Sequence, residues 1–116
     1  MRVLVACEFS GVVRNAFRRR GHEAYSCDLL PCKSGPEWHI QGDAQEAAKH
    51  EWDLIIAHPP CTWLCQAMRT NAARKDRPNI TAVFEQERER AYQFAVGFFD
   101  HADRVCVENP IGYSRA

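Results

Sequence analysis

Leu54-Ile55-Ile56-Ala57 is an unbroken apolar run that stops at His58-Pro59-Pro60, where the prolines cannot continue a hydrogen-bonded ladder. A short continuous run of this kind suits a strand buried on both faces, the condition of a parallel sheet covered by helices. The strand is expected over 52–57. Residues 2–7 (Arg-Val-Leu-Val-Ala-Cys) form a second run of the same type, punctuated by Gly11.

The remaining segments alternate with these runs. Val12, Val13, Ala16 and Phe17 recur at helical spacing over 12–20, with arginines on the other face and Gly21 placed as a C-terminal cap. Residues 22–30 read as a strand centred on Ala24-Tyr25-Ser26-Cys27 and ending in Asp28, and 31–36 as a loop. A short strand over 38–41 and a helical stretch over 44–49 follow. Residues 65–79 are polar and basic and read as a loop or lid. An amphipathic helix is expected over 81–99, and a last buried strand over 104–107. Strands alternating with helices specify a doubly wound α/β fold with a mainly parallel sheet.

Composition narrows the class. The 116 residues suffice for one domain, and 46% hydrophobic with 26% charged residues is ordinary globular usage. Lys plus Arg and Asp plus Glu both number 15, so any contact with nucleic acid must be local. Of the six cysteines, Cys7, Cys27 and Cys106 lie in strand-like runs and read as small hydrophobes, which points to a reducing interior. No segment has the length of a membrane span, and residues 1–7 lack the features of a secretory signal. The expected location is the cytoplasm.

In such a sheet, ligands bind outside the carboxyl ends of the strands. Five polar groups follow strands here: 8–11, Asp28, Gly42-Asp43, 58–61 and 108–110. Phe9-Ser10-Gly11 opens a helix whose backbone N–H groups can receive a polar or anionic group, or it is a plain tight turn. Asp28 can accept from ribose hydroxyls or cap a loop. Asp43 can face an adenine amino group or simply cap the next helix. The prolines of Pro59-Pro60-Cys61 project a thiol from the strand end, where a thiolate is a candidate nucleophile, or Cys61 is a structural cysteine packed beneath a loop. His58, Cys61 and Cys65 lack the paired spacing of a metal site. Glu108, if partly buried, could exchange a proton with the edge of a heterocyclic base, or it is a surface glutamate before the proline that ends the strand.

Taken in order, these motifs resemble the S-adenosylmethionine-dependent DNA cytosine-5 methyltransferases, particularly the small phage and prophage type. Phe9-Ser10-Gly11 looks like the first cofactor motif, Asp28 like the ribose-binding acid and Gly42-Asp43 like the adenine-holding motif. Pro60-Cys61 is similar to the nucleophile motif and Glu108-Asn109 to the base-recognition motif. The resemblance implies a Rossmann-like methyltransferase domain, with a cofactor half over 1–58 and a catalytic half over 59–116. Phe9, Ser10, Gly11, Asp28, Asp43 and Pro59 would hold S-adenosylmethionine. Cys61 would add to carbon 6 of a flipped-out cytosine while Glu108 engages the ring nitrogen. Pro60, Asn109, Arg69, Arg74 and Lys75 would contact DNA.

Val13 and Arg14 stand where the family has further glycines, adding bulk beside the cofactor's methionine end. The family's later arginine-bearing motif, target-recognition region and last strands find no counterpart before Ala116, so the sheet is expected to be incomplete at its C-terminal end. An open edge at 104–107 would then invite a homodimer or a partner protein. The competing expectation is a shortened, catalytically inactive relative that binds DNA or a host defence protein.

Overall fold

The computed structural model describes residues 1–60 and 80–108. In chain order the elements are β1 (Arg2–Ala6), α1 (Val12–Arg19), β2 (Glu23–Asp28), β3 (His39–Gln41), α2 (Ala44–Ala48), β4 (Leu54–Ala57), α3 (Ile80–Val96), a 3-10 turn (Gly97–Asp100) and β5 (Val105–Val107). The five strands form one sheet in the order β3-β2-β1-β4-β5, and every neighbouring pair is parallel. This is a Rossmann-like α/β fold.

Side-chain alternation along β1 divides the core between the two faces of the sheet. Val3 and Val5 point to one face, where they join Ala24 of β2 and meet Val13 and Phe17 of α1. Leu4 and Ala6 point to the other, where they join Cys27, Ile55 and Ala57 under Ala44, Ala47 and Ala48 of α2, Trp52 and Phe98. All four β1 residues are fully buried, which is why the run carries no polar alternation.

Several boundaries differ from the sequence expectation for identifiable reasons. β3 begins at His39 because Trp38 adopts a left-handed φ of 58°, with its indole under the Arg18 guanidinium at 3.7 Å. The helix expected over 81–99 is α3 followed by the 3-10 turn. At that junction Gln45 Nε2 donates to the Phe94 carbonyl at 2.6 Å, and a Cβ on Gly97 would lie only 3.0 Å from the same Gln45 atom. Gly21, at a φ of 87°, follows the last turn of α1 as expected of a glycine after a helix.

Two expectations about burial are corrected. The arginines of α1 do not all face solvent. Arg14 is 2% exposed and Val12 is 66% exposed, because the Arg14 guanidinium finds acceptors beneath the helix whereas Val12 sits on the outer side of its first turn. Cys106 is exposed, not buried, since β5 has only β4 as a neighbour among the described residues. No helix among the described residues is long and apolar enough to cross a membrane.

Candidate ligand-binding site

In the order β3-β2-β1-β4-β5, the chain leaves β1 toward β2 on one side and leaves the adjacent β4 toward β5 on the other, and a crevice opens at the strand ends where the direction reverses. A cavity of about 420 Å³ lies there. Its walls come from the ends of four strands: Cys7 and Phe9 after β1, Asp28, Leu29 and Leu30 around the end of β2, Gly42 and Asp43 after β3, and His58 and Pro60 after β4. Ala44 and Phe94 complete it from α2 and α3. Pockets for cofactor-sized molecules span about 300–1,000 Å³ and are mostly apolar with a few placed polar groups, as here.

The polar groups are held by their own backbone. Asp28 Oδ1 accepts the Leu30 N–H at 2.9 Å, and Asp43 Oδ1 caps α2 by accepting the Gln45 N–H at 2.8 Å. Each arrangement fixes its carboxylate, and no described residue hydrogen-bonds the second oxygen of either acid. The capping and ligand-binding readings of Asp28 and Asp43 are therefore compatible: one oxygen orients the group and the other is left to the cavity.

Cys7 reports the local field. Desolvation, followed by the charges of Asp28, Cys27 and Asp43, pushes its thiol up from 9.0 to about 12. Its φ of 61° places a non-glycine residue in the left-handed region, a strain of order 1–3 kcal/mol that clusters at binding sites. On the opposite wall, His58 Nε2 is buried with no hydrogen-bond partner among the described residues. Such a group costs about 1–3 kcal/mol until something pairs with it.

The first turn is built differently from the expectation of open N–H groups. The Glu8 carboxylate, 6% exposed, accepts from the backbone N–H of Val13 at 3.1 Å and of Arg14 at 3.2 Å. Ser10 Oγ accepts from Val12 N–H at 3.3 Å. The helix start is thus occupied by a carboxylate of the chain itself. Gly11 takes a φ of 78° there, and a Cβ would meet Ser34 Oγ at 2.5 Å. The bulk of Arg14 is turned beneath the helix toward Ser26 of β2.

Of the residues singled out in the sequence, Phe9, Asp28, Asp43 and Pro60 meet in the cavity. Ser10 and Gly11 shape the adjoining turn without lining it. Pro59 is buried and does not line the cavity, whereas its exposed neighbour Pro60 does. Glu108 stands at the end of β5, where its N–H donates to the Ala57 carbonyl at 2.9 Å; its side chain is exposed, the position of the surface-glutamate alternative. Cys61, Asn109, Arg69, Arg74 and Lys75 lie outside the described residues.

Sequence reasoning missed the apolar wall. Leu29 and Leu30 are 73% and 54% exposed, and two leucines directly after a strand-ending acid were a usable signal. Phe94 read only as the apolar face of its helix, and Cys7 as core. No group of three or more metal-ligating side chains occurs among the described residues. Neither protein-family models, nor curated proteins, nor solved structures yield a match to this chain.

Proposed function

We propose that this chain binds S-adenosylmethionine in the strand-end cavity and methylates carbon 5 of cytosine in DNA through a covalent adduct on Cys61. The observation that carries the cofactor reading is the convergence of Asp28 and Asp43 on one apolar cavity of about 420 Å³. Two fixed carboxylates suit a ligand rich in hydroxyl and amine donors with a cationic centre. A pyrophosphate-bearing dinucleotide suits the site poorly, because Glu8 occupies the helix start that would receive its phosphates.

The residues fit the adenosine part of the cofactor. Asp28 would accept from ribose hydroxyls, Asp43 from the exocyclic amine, and Leu29, Leu30 and Phe94 would cover the ring. The His58 residue borders the same cavity. When bound, the cofactor supplies an electrophilic methyl group on a cationic sulfur. The chain's part is to prepare the acceptor. The Cys61 thiolate would form a bond to carbon 6 of the base, shifting ring electrons toward carbon 5, while Glu108 would give a proton to the ring nitrogen. Pro60 lines the cavity immediately before Cys61. Asn109, Arg69, Arg74 and Lys75 would supply base and phosphate contacts, local ones because the net charge is zero.

A duplex carrying 5-fluorocytosine tests the chemistry, since the fluorine blocks release of the adduct. The expected result is a denaturant-resistant protein–DNA species with cofactor present, absent in Cys61→Ser. If the folded, cofactor-bound wild type leaves no adduct, methyl transfer is wrong. Titration calorimetry with S-adenosylmethionine and its demethylated product tests the cavity separately, and no binding heat would remove the cofactor.

A second reading is a non-catalytic relative that retains the cavity and binds DNA or a defence protein. The Glu8 carboxylate at the helix start, which repels an anionic ligand end, and the exposed position of Glu108 favour it. Cofactor heat without an adduct is its signature.

A further inference from the structure

Arg14 is a cation buried to 2% exposure, yet its hydrogen-bond acceptors on described residues include no carboxylate. Nε donates to Asn15 Oδ1 at 3.1 Å, Nη1 to Ser26 Oγ at 2.8 Å, and Nη2 to Ser34 Oγ at 3.0 Å. The fourth acceptor is Cys32 Sγ, 3.5 Å from Nη1. Glu8, the nearest acid in sequence, is engaged by the backbone N–H groups at the helix start. Cys32 is therefore the one acceptor of the guanidinium, among the described residues, that can itself carry negative charge. Burying an unpaired charge is costly, so the guanidinium favours an anion at that position.

Ser34 adds a second donor. Its Oγ accepts from Arg14 Nη2, which leaves its own hydrogen for Cys32 Sγ at 3.2 Å or for the Ser10 carbonyl at 3.5 Å. A thiolate at Cys32 would thus be met by an N–H of Arg14 and the O–H of Ser34. Desolvation opposes ionisation of this thiol, but the Ser34 hydrogen bonds, the Arg14 hydrogen bond and the Arg14 charge outweigh it and hold the pKa below 9.0. Cys7 and Cys27 differ sharply: desolvation first, then neighbouring acids, raise them to about 12 and about 11. Cys32 is also half-buried, not sealed, so a small reagent reaches it.

We propose that Cys32, set against the buried Arg14 guanidinium and the Ser34 hydroxyl, is a site of oxidation by peroxide. The thiolate sulfur attacks one peroxide oxygen: an S–O bond forms, the O–O bond breaks, and the departing hydroxide takes a proton from solvent. Sulfur is oxidised by two electrons to the sulfenic acid and the peroxide is reduced. The site does not depend on the methyltransferase reading.

The test uses the whole chain. Iodoacetamide labelling against pH, with each cysteine located by tandem mass spectrometry, should give a Cys32 half-point below 9.0. At pH 7 Cys32 should label faster in the folded protein than in urea, by less than the gain in thiolate because nucleophilicity falls with pKa. Hydrogen peroxide followed by a sulfenic-acid probe should mark Cys32. Ser34→Ala, at an exposed loop position, should raise the half-point and slow labelling even if Arg14→Gln fails to fold. A half-point of 9.0 or higher, labelling no faster than in urea, an unchanged Ser34→Ala profile, or no sulfenic adduct at Cys32 would each overturn the assignment.

Discussion

Arg14 Nη1 donates to Ser26 Oγ at 2.8 Å, tying α1 to β2 through a cation that is almost wholly removed from water. Ser26 Oγ also lies 2.8 Å from His39 Nδ1, and His39 Nε2 lies 2.9 Å from the Leu30 carbonyl. If Ser26 accepts from Arg14, its hydrogen goes to His39 Nδ1, and the neutral ring then donates from Nε2 to Leu30. A chain of hydrogen bonds thus runs from the helix to the cavity wall.

Ser26→Ala leaves an Arg14 donor and a His39 acceptor unpaired inside the fold. It should lower stability in urea unfolding by about 1–3 kcal/mol. Arg14→Ala should cost more, about 3–5 kcal/mol, because it also removes the packing beneath α1. A Ser26→Ala protein as stable as the wild type would contradict the network.

Gly11→Ala is expected to be strongly unfavourable for so small a change. The left-handed φ of 78° costs an L-residue about 1–2 kcal/mol, and the added Cβ would press on Ser34 Oγ at 2.5 Å. Thermal unfolding should show a clear drop in Tm. The same substitution at Gly21 lacks the contact, since nothing lies within 4 Å of a Cβ there, and should lose only the conformational part.

Under the proposed function, Asp28→Asn and Asp43→Asn should weaken S-adenosylmethionine binding about 10-fold or more each, as expected for a lost charge-assisted hydrogen bond of about 1.5–3 kcal/mol. Asparagine retains an oxygen for the Leu30 and Gln45 N–H groups, so stability should change little. Calorimetry beside urea unfolding separates the two effects. Unchanged affinity in both variants would remove the carboxylates from the site.

The raised thiols make the fold sensitive to alkali. Cys7 and Cys27 keep their protons up to about 12 and about 11 in the folded protein, whereas an unfolded thiol loses its proton near 9.0. The unfolded state then binds fewer protons, so stability conferred by these groups is complete below 9.0 and is lost as pH rises toward 11–12. Urea midpoints followed over this range should fall less steeply in Cys27→Ala than in the wild type. Parallel slopes would show that Cys27 ionises equally in both states.

The class of fold was legible in the chain, as was the strand edge at which the candidate site lies, because both depend on local pattern. Continuous apolar runs at β1 and β4 declare strands buried on two faces, and the prolines after Ala57 mark where the second must stop. Acids placed after strands fall at the carboxyl edge of a parallel sheet whatever the details, so Asp28 and Asp43 could be assigned to one side from order alone. Their dual use was hidden, because whether an acid caps a turn, faces a ligand or does both depends on where each oxygen points.

What only tertiary structure decided were relationships between residues distant in sequence. Helical periodicity assigns arginine to the wet face of α1, but three-dimensional packing brings Ser26, Cys32 and Ser34 beneath Arg14 and makes its burial possible. Glu8 is one of the polar residues that follow β1, and the left-handed turn at Gly11 folds α1 back so that its Val13 and Arg14 N–H groups close on that carboxylate. Hydrophobic patterning determines which segments must leave water. Which polar groups accompany them is determined by the acceptors that the assembled sheet and helices bring within hydrogen-bond distance.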